Sequence, residues 1–140
     1  MSQEQKLFPT DGASVLLLAD DVRQEIGGKL TLMGYMPGHI FKLGPKPADS
    51  TTQEALQSLV IMMIFQDGLG TFNLQVSLAT PDGEEMLKDN KPQSVKKLPD
   101  GALNVNLVMK PFPVKLGTYN LTVSLDDREY KRSFSMVRDE

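Results

Sequence analysis

A chain of 140 residues carrying 15 basic and 18 acidic side chains, with a net charge of −3, is one domain's worth of sequence. Roughly two-thirds of the unfolded surface is buried at this size, so a core forms without metals or cross-links. The small acidic excess offers no field for a nucleic-acid backbone, and the absence of cysteine removes disulfides, thiolate metal sites and a cysteine nucleophile.

Residues 1–12 are polar, carry Pro9 and end in a Pro9 to Gly12 turn, which predicts a flexible N-terminal arm ahead of a single domain over 13–140. The apolar run Val15 to Ala19 is shorter than the roughly 7 to 15 residues of a signal-peptide core. The longest apolar run, Leu59 to Phe65, is far below the roughly 20 residues that span a bilayer. The expectation is a cytoplasmic protein with no membrane segment.

Ser14 to Leu18 reads as a strand. Asp20 to Glu25 is either a helical turn capped by Asp20 or the continuation of that strand into a hairpin. Gly27-Gly28 favours the hairpin, because both positions can take positive φ, and Lys29 to Met36 then forms the returning strand. Pro37-Gly38 breaks it, His39 to Lys42 resumes it, and Gly44 to Thr52, with Pro45 and Pro47, is a loop. Leu56 to Gln66 is a strand with no polar face: Leu59, Ile61, Met63 and Phe65 lie on one side, Val60, Met62 and Ile64 on the other.

Gly70 to Thr80 alternates, with Phe72, Leu74, Val76 and Leu78 inward, and Pro81-Asp82-Gly83 turns the chain. Glu84 to Asp100 is lysine-rich and polar, which predicts a mobile connection holding a short edge strand. Alternation returns at Leu103 to Met109, at Tyr119 to Leu125 and at Tyr130 to Val137, with Asp126-Asp127 as the turn between the last two. Short period-two strands punctuated by Pro, Gly and Asp predict an all-β fold, an immunoglobulin-like antiparallel β-sandwich of about seven or eight strands.

Two stretches carry resemblances. "FPVKLGTYNLTVSLDDREYKRSFSM" (112–136) is similar to the closing strands of immunoglobulin-like and fibronectin-like sandwiches, where a Gly-x-Tyr entry leads into an alternating strand, a short acidic turn and a last strand. That implies a fold and no activity. "LLLADDVRQEIGGKLTLMGYM" (16–36) resembles the opening of an uncharacterised bacterial family of small proteins, in which D-D-x-R-x-E precedes G-x-K-L-x-L-x-G. That family brings no assigned activity and no site residues.

Three groups of residues invite a functional reading. Asp20, Asp21, Arg23 and Glu25, with Asp126, Asp127 and Glu129 of the other turn, supply hard oxygen ligands for Ca²⁺ or Mg²⁺. They lack the Asp-x-Asp spacing usual in calcium-binding loops, and a solvated turn with a local ion pair is the favoured account of them. His39 stands alone, with no Gly-x-Ser-x-Gly elbow to pair with, so neither a catalytic triad nor a histidine metal site is expected. The second face of the 59–65 strand, Val60, Met62 and Ile64, needs cover, either from the chain itself or from a second chain. Lys88, Lys91, Lys96 and Lys97, interleaved with Asp89 and Pro92, read as a solvated loop.

The sequence therefore predicts a non-enzymatic interaction module with no cofactor and no metal, docking a protein partner or a second copy of itself. The alternative is a small-ligand or Ca²⁺/Mg²⁺-binding sandwich that uses the acidic loops.

Overall fold

After a single turn of 3-10 helix at Asp11–Ala13, the chain runs through β1 (Ser14–Ala19), β2 (Asp21–Gln24), β3 (Leu30–Met33), β4 (Ile40–Leu43), β5 (Ala55–Leu56), β6 (Leu59–Phe65) and β7 (Gly70–Ala79). It continues through β8 (Glu85–Lys88), β9 (Gln93–Lys97), β10 (Leu103–Met109), β11 (Phe112–Pro113), β12 (Gly117–Leu125) and β13 (Arg128–Arg138). This computed structural model describes residues 5–44, 54–88 and 91–138. The expected loop around Pro45 and Pro47, the first four residues of the arm and Asp89 lie outside the described residues.

The chain is all-β, with no α-helix among the described residues. One sheet has the order β1-β6-β10 and a larger one β4-β13-β12-β7-β8, with β9 also on β7; β2-β3 and β11-β5 are two-stranded. The strand count exceeds the expected seven or eight because segments as short as Ala55–Leu56 pair separately, and because Glu84 to Asp100, expected as a mobile connection, supplies both β8 and β9. One pair departs from the antiparallel expectation: β4 runs parallel to β13, with Ser135 opposite Ile40 and Arg138 opposite Leu43. Strands this far apart in sequence share no hairpin, so nothing local imposes the antiparallel sense.

The inward faces of the three-stranded and six-stranded sheets meet in one apolar core. Leu59, Ile61, Met63 and Phe65 of β6 face Phe72, Leu74, Val76 and Leu78 of β7 and Tyr119, Leu121, Val123 and Leu125 of β12, all buried. Phe65 meets Tyr130 edge-on at 4.9 Å between centroids, and Tyr119 stacks on Phe134 at 5.0 Å. Arg138 reaches across to the Gly44 carbonyl at 2.6 Å and to Glu54, clipping the edge strand to β13.

The arm expected to be loose is tied down over its described part. Leu7 exchanges backbone hydrogen bonds with Leu69 at 2.8 and 2.9 Å, and Phe8 packs on Phe72 under the Arg128 guanidinium. The Pro9 carbonyl accepts from Tyr130 Oη at 2.7 Å, and Arg132 donates to Asp11 and to the Ser14 carbonyl. Gly68, at φ 88°, permits this approach, since a Cβ there would lie 2.7 Å from the Leu7 carbonyl oxygen. The polarity of 1–12 suggested freedom, but Leu7, Pro9, Thr10 and Asp11 find partners on β13 and on the 66–69 turn.

Lys97 corrects the reading of the lysine cluster. On β9 it follows Gln93 and Val95 in the inward register and is 1% exposed, with Nζ donating to the carbonyls of Gly68 at 3.0 Å and Leu98 at 2.5 Å. Lys88, Lys91 and Lys96 are exposed, as expected. Lys97→Met keeps the length of the side chain and leaves both carbonyls without this donor. The expected loss is about 2 to 3 kcal/mol of stability, read from urea unfolding. A loss too small to measure would mean that water takes over both bonds.

Candidate functional site

The two acidic loops lie at opposite ends of the molecule. Asp20 and Asp21 follow the end of β1 that pairs with Val60, whereas the Asp126 turn sits beside Asn73, near the Ser14–Phe65 end. Six strand residues separate those ends, about 20 Å at the usual rise. Among the described residues no group of three or more His, Asp or Glu side chains converges as a metal site would require.

Each loop instead has a local structural role. Asp20 folds its carboxylate over Gly34, where φ is 67° and any Cβ would collide with it, and its backbone N–H donates to the Met33 carbonyl at 2.9 Å. This accounts physically for the first Asp and the final Gly of the D-D-x-R-x-E…G-x-K-L-x-L-x-G pattern. Asp21 accepts from the Val22 N–H at 2.9 Å and lies 3.6 Å from Lys110 Nζ. Arg23 pairs with Glu25 at 2.5 Å on the β2–β3 hairpin, whose turn carries Gly27 and Gly28 at φ 84° and 78°. The continuation of β1 is thus a separate two-stranded ribbon, broken from β1 at Asp20.

Asp126 adopts φ 56°, the left-handed conformation that Asp tolerates better than most residues. Its carboxylate accepts the Asn73 N–H at 2.8 Å and meets Lys6 Nζ at 2.5 Å. The Asn73 bond, then Lys6, hold this carboxyl below its ordinary value, while hydrogen bonds from Thr10 do the same for Asp67. Asp127 and Glu129 are exposed. His39 is exposed as well, and its carbonyl accepts the Ser135 N–H at 2.8 Å, so its described role is in the β4–β13 pairing.

Of the Val60, Met62 and Ile64 face, the first two residues are covered within the single chain. Val60 is 1% and Met62 2% exposed, and Ile64 is half-buried. Val60 lies between Ala19 of β1 and Val108 of β10, Met62 between Leu17 and Asn106, and β2 packs against β6. Val60 and Met62 thus find their cover within the chain, and Ile64 is partly open.

Open surface lies instead along β10, which alternation located without showing that its far side is free. Among the described residues β10 pairs with β6 alone. Its inward residues Leu103 and Leu107 line a hollow of about 280 Å³ whose opposite wall is Leu74, Val76 and Val95 of the other sheet. A second hollow of about 480 Å³ continues along Leu107, Met109 and Pro111, facing Leu87 of β8. Leu87, Val95, Leu103, Leu107 and Met109 are only partly buried. The two sheets thus part along a seam, with a half-paired strand on one lip and β8 and β9 on the other.

Beyond Met109 the walls become Pro113 and Met86, around a smaller cleft of about 190 Å³ floored by Thr80 and Tyr119 and rimmed by Glu84, Glu85 and Lys115. The β7–β8 pairing shifts register between Leu78 and Ala79, and this bulge brings Met86 and Leu87 both against the core. Lys115 Nζ lies 2.9 Å from Asp82 and 3.8 Å from Glu84, and the Asp82 bond raises its pKa. Burial pushes the Tyr119 hydroxyl up, so it stays protonated at neutral pH.

Residues 14–136 match a family of unknown function, DUF6941, and the chain belongs to that family. The match is consistent with the resemblance to an uncharacterised family and brings no activity with it. No curated protein matches the chain.

Two outcomes follow from the acidic loops. A carboxyl held low in the folded state contributes stability above its unfolded pKa of about 3.9 and loses it as pH falls through the folded value. Asp126→Asn keeps the acceptor for Asn73 and removes the titrating charge, so its melting temperature is expected to fall less steeply than the parent's between pH 5 and pH 2. Millimolar Ca²⁺ or Mg²⁺ is expected to leave the melting temperature unchanged. A rise abolished by Asp20→Asn with Asp21→Asn would reinstate a metal site.

Proposed function

We propose that this member of the family is a non-enzymatic, cytoplasmic interaction module of bacterial origin, which binds an extended segment of a protein partner by strand addition to β10. One observation carries the proposal: among the described residues β10 has a strand neighbour on one side only, and its half-buried inward residues line an open seam. An unpaired strand edge presents a row of backbone donors and acceptors, a template that another extended chain can complete. Side chains of period two on the incoming segment would alternate between the apolar seam and solvent.

The occupant is a single segment rather than a second copy of the sheet. β8 and β9 form the opposite lip, so a whole folded edge brought against β10 would meet them, whereas a single strand demands less room. The homodimer drawn from Val60, Met62 and Ile64 has no such support, since two of those residues are covered within the chain.

The finer fold reading, an immunoglobulin-like sandwich, has its own support at Tyr119. Its hydroxyl accepts the Lys115 N–H at 2.9 Å and lies 3.5 Å from the Pro113 carbonyl, bonding back to the segment just upstream. A tyrosine near the start of a strand doing this at the corner between sheets is a recurring immunoglobulin feature.

A displayed library of random octapeptides selected against the folded chain is expected to yield alternating apolar and polar residues. In their presence the β10 amides that face the seam should gain protection from hydrogen exchange. Leu107→Lys should abolish capture while the melting temperature stays within a few degrees. Selected peptides that protect any strand other than β10 would overturn the proposal.

A further inference from the structure

Pairing within the three-stranded sheet decides which backbone groups of β10 are left over. The Leu18 carbonyl accepts the Met36 N–H and the Asp20 N–H donates to the Met33 carbonyl, so both residues point away from β6. In an antiparallel ladder the N–H and C=O of one residue point the same way, and those of the next residue the opposite way. Ile61, which stands opposite Leu18, therefore points away from β1 and toward β10, as do Leu59, Met63 and Phe65. Their partners Met109, Leu107, Val105 and Leu103 spend their own groups on β6. The N–H and C=O of Asn104, Asn106 and Val108 turn to the open side, where among the described residues no strand meets them.

This edge also lacks the usual protection. Strand edges are blunted by charge, proline, a bulge or shortness, because an unguarded one invites other chains. β10 pairs with β6 over seven residues without a register shift, and none of Leu103 to Met109 is charged or a proline. The outer strands of the six-stranded sheet do carry charge: Lys42 on β4, Glu85 and Lys88 on β8, Lys96 on β9. β1 is uncharged too, but Met33 and Met36 bond along one end of its edge. On β10 the side chains level with the free backbone groups are Asn104, Asn106 and Val108, all exposed.

We infer that the segment taken up by β10 is uncharged and alternates apolar side chains with amide or hydroxyl ones, an inference that rests on strand addition at this edge. Residues opposite one another across a ladder share a face. Those beside Leu103, Leu107 and Met109 turn into the seam, against Leu74, Val95 and Leu87, and are apolar. Those beside Asn104 and Asn106 turn outward, next to side-chain amides that both donate and accept, and an asparagine, glutamine, serine or threonine answers them in kind. A lysine or glutamate at those positions would find no countercharge on β10, and Lys110, just beyond the strand, already lies 3.6 Å from Asp21.

The test uses three nine-residue peptides with the same alternating leucines and valines, which carry threonine and asparagine, lysine, or glutamate between them. Each is titrated against the full-length ¹⁵N-labelled chain, and hydrogen exchange is read residue by residue. The neutral peptide is expected to bind about tenfold tighter than either charged one. It should slow the Asn104, Asn106 and Val108 amides and leave those of Leu103, Val105 and Leu107, already bonded to β6, as they were. Asn106→Lys should move the preference to the glutamate peptide with the melting temperature unchanged, since that side chain is exposed. A charged peptide binding the parent as tightly as the neutral one, with the same alternate amides slowed, would overturn this inference and leave strand addition standing. So would Asn106→Lys with its preference unmoved. Failure of every peptide to slow those three amides would overturn both.

Discussion

A strand with no polar face has to be covered twice, and the rest of this fold depends on that requirement at β6. On the inner side Leu59, Ile61, Met63 and Phe65 meet the six-stranded sheet. On the outer side β1 and β10 flank Val60 and Met62 while β2 packs down from the hairpin, with Ala19 as a small neighbour opposite Val60. Water is excluded from both faces of a central strand only if its neighbours stay in register, because a one-residue slip would exchange the two sets of side chains. The three-stranded sheet is the part of the molecule where register and burial enforce one another most strongly.

Alternation exposed most of this to a reading of the sequence. Phe72 to Leu78, Tyr119 to Leu125 and the closing strand were legible because one face of each is apolar and the other polar, and Gly27-Gly28 named its own hairpin. Three things were not legible. The parallel β4–β13 pair and the anchoring of Lys6 to Asp11 are long-range contacts that leave no local period. Lys97 reads as solvated from its type, and only its position two residues after Val95 hints at an inward register. The candidate site was hidden for a related reason: a free edge is a property of which strands are neighbours, and Leu103 to Met109 reads the same whether one side or both are paired.

The acidic residues show how composition can misdirect. Asp20, Asp21, Asp67 and Asp126 look like a reservoir of ligands, yet Asp21, Asp67 and Asp126 each accept a backbone N–H at a turn and Asp20 closes over a glycine. Carboxylates at turns suit that role because they satisfy donors that a strand ladder leaves over. The polar groups that stand out are neutral ones, the hydroxyls of Ser58 and Thr80, which among the described residues lack the hydrogen-bond partner that Asp21, Asp67 and Asp126 each have.

The anchoring of the N-terminal segment has a consequence for how the chain is made. Pro9 and Asp11 find their partners at Tyr130 and Arg132, 121 residues later in both cases. At about 5 to 20 residues per second of synthesis, that interval is on the order of ten seconds. β1, β6 and β10 are all present earlier, as are β7, β8 and β9 of the facing sheet, but the core between the sheets lacks the side chains of β12 and β13 until those strands emerge. The nascent chain therefore passes through a half-built stage in which Phe65 lacks Tyr130, its edge-on neighbour, and its completion is set by the arrival of its last described strand.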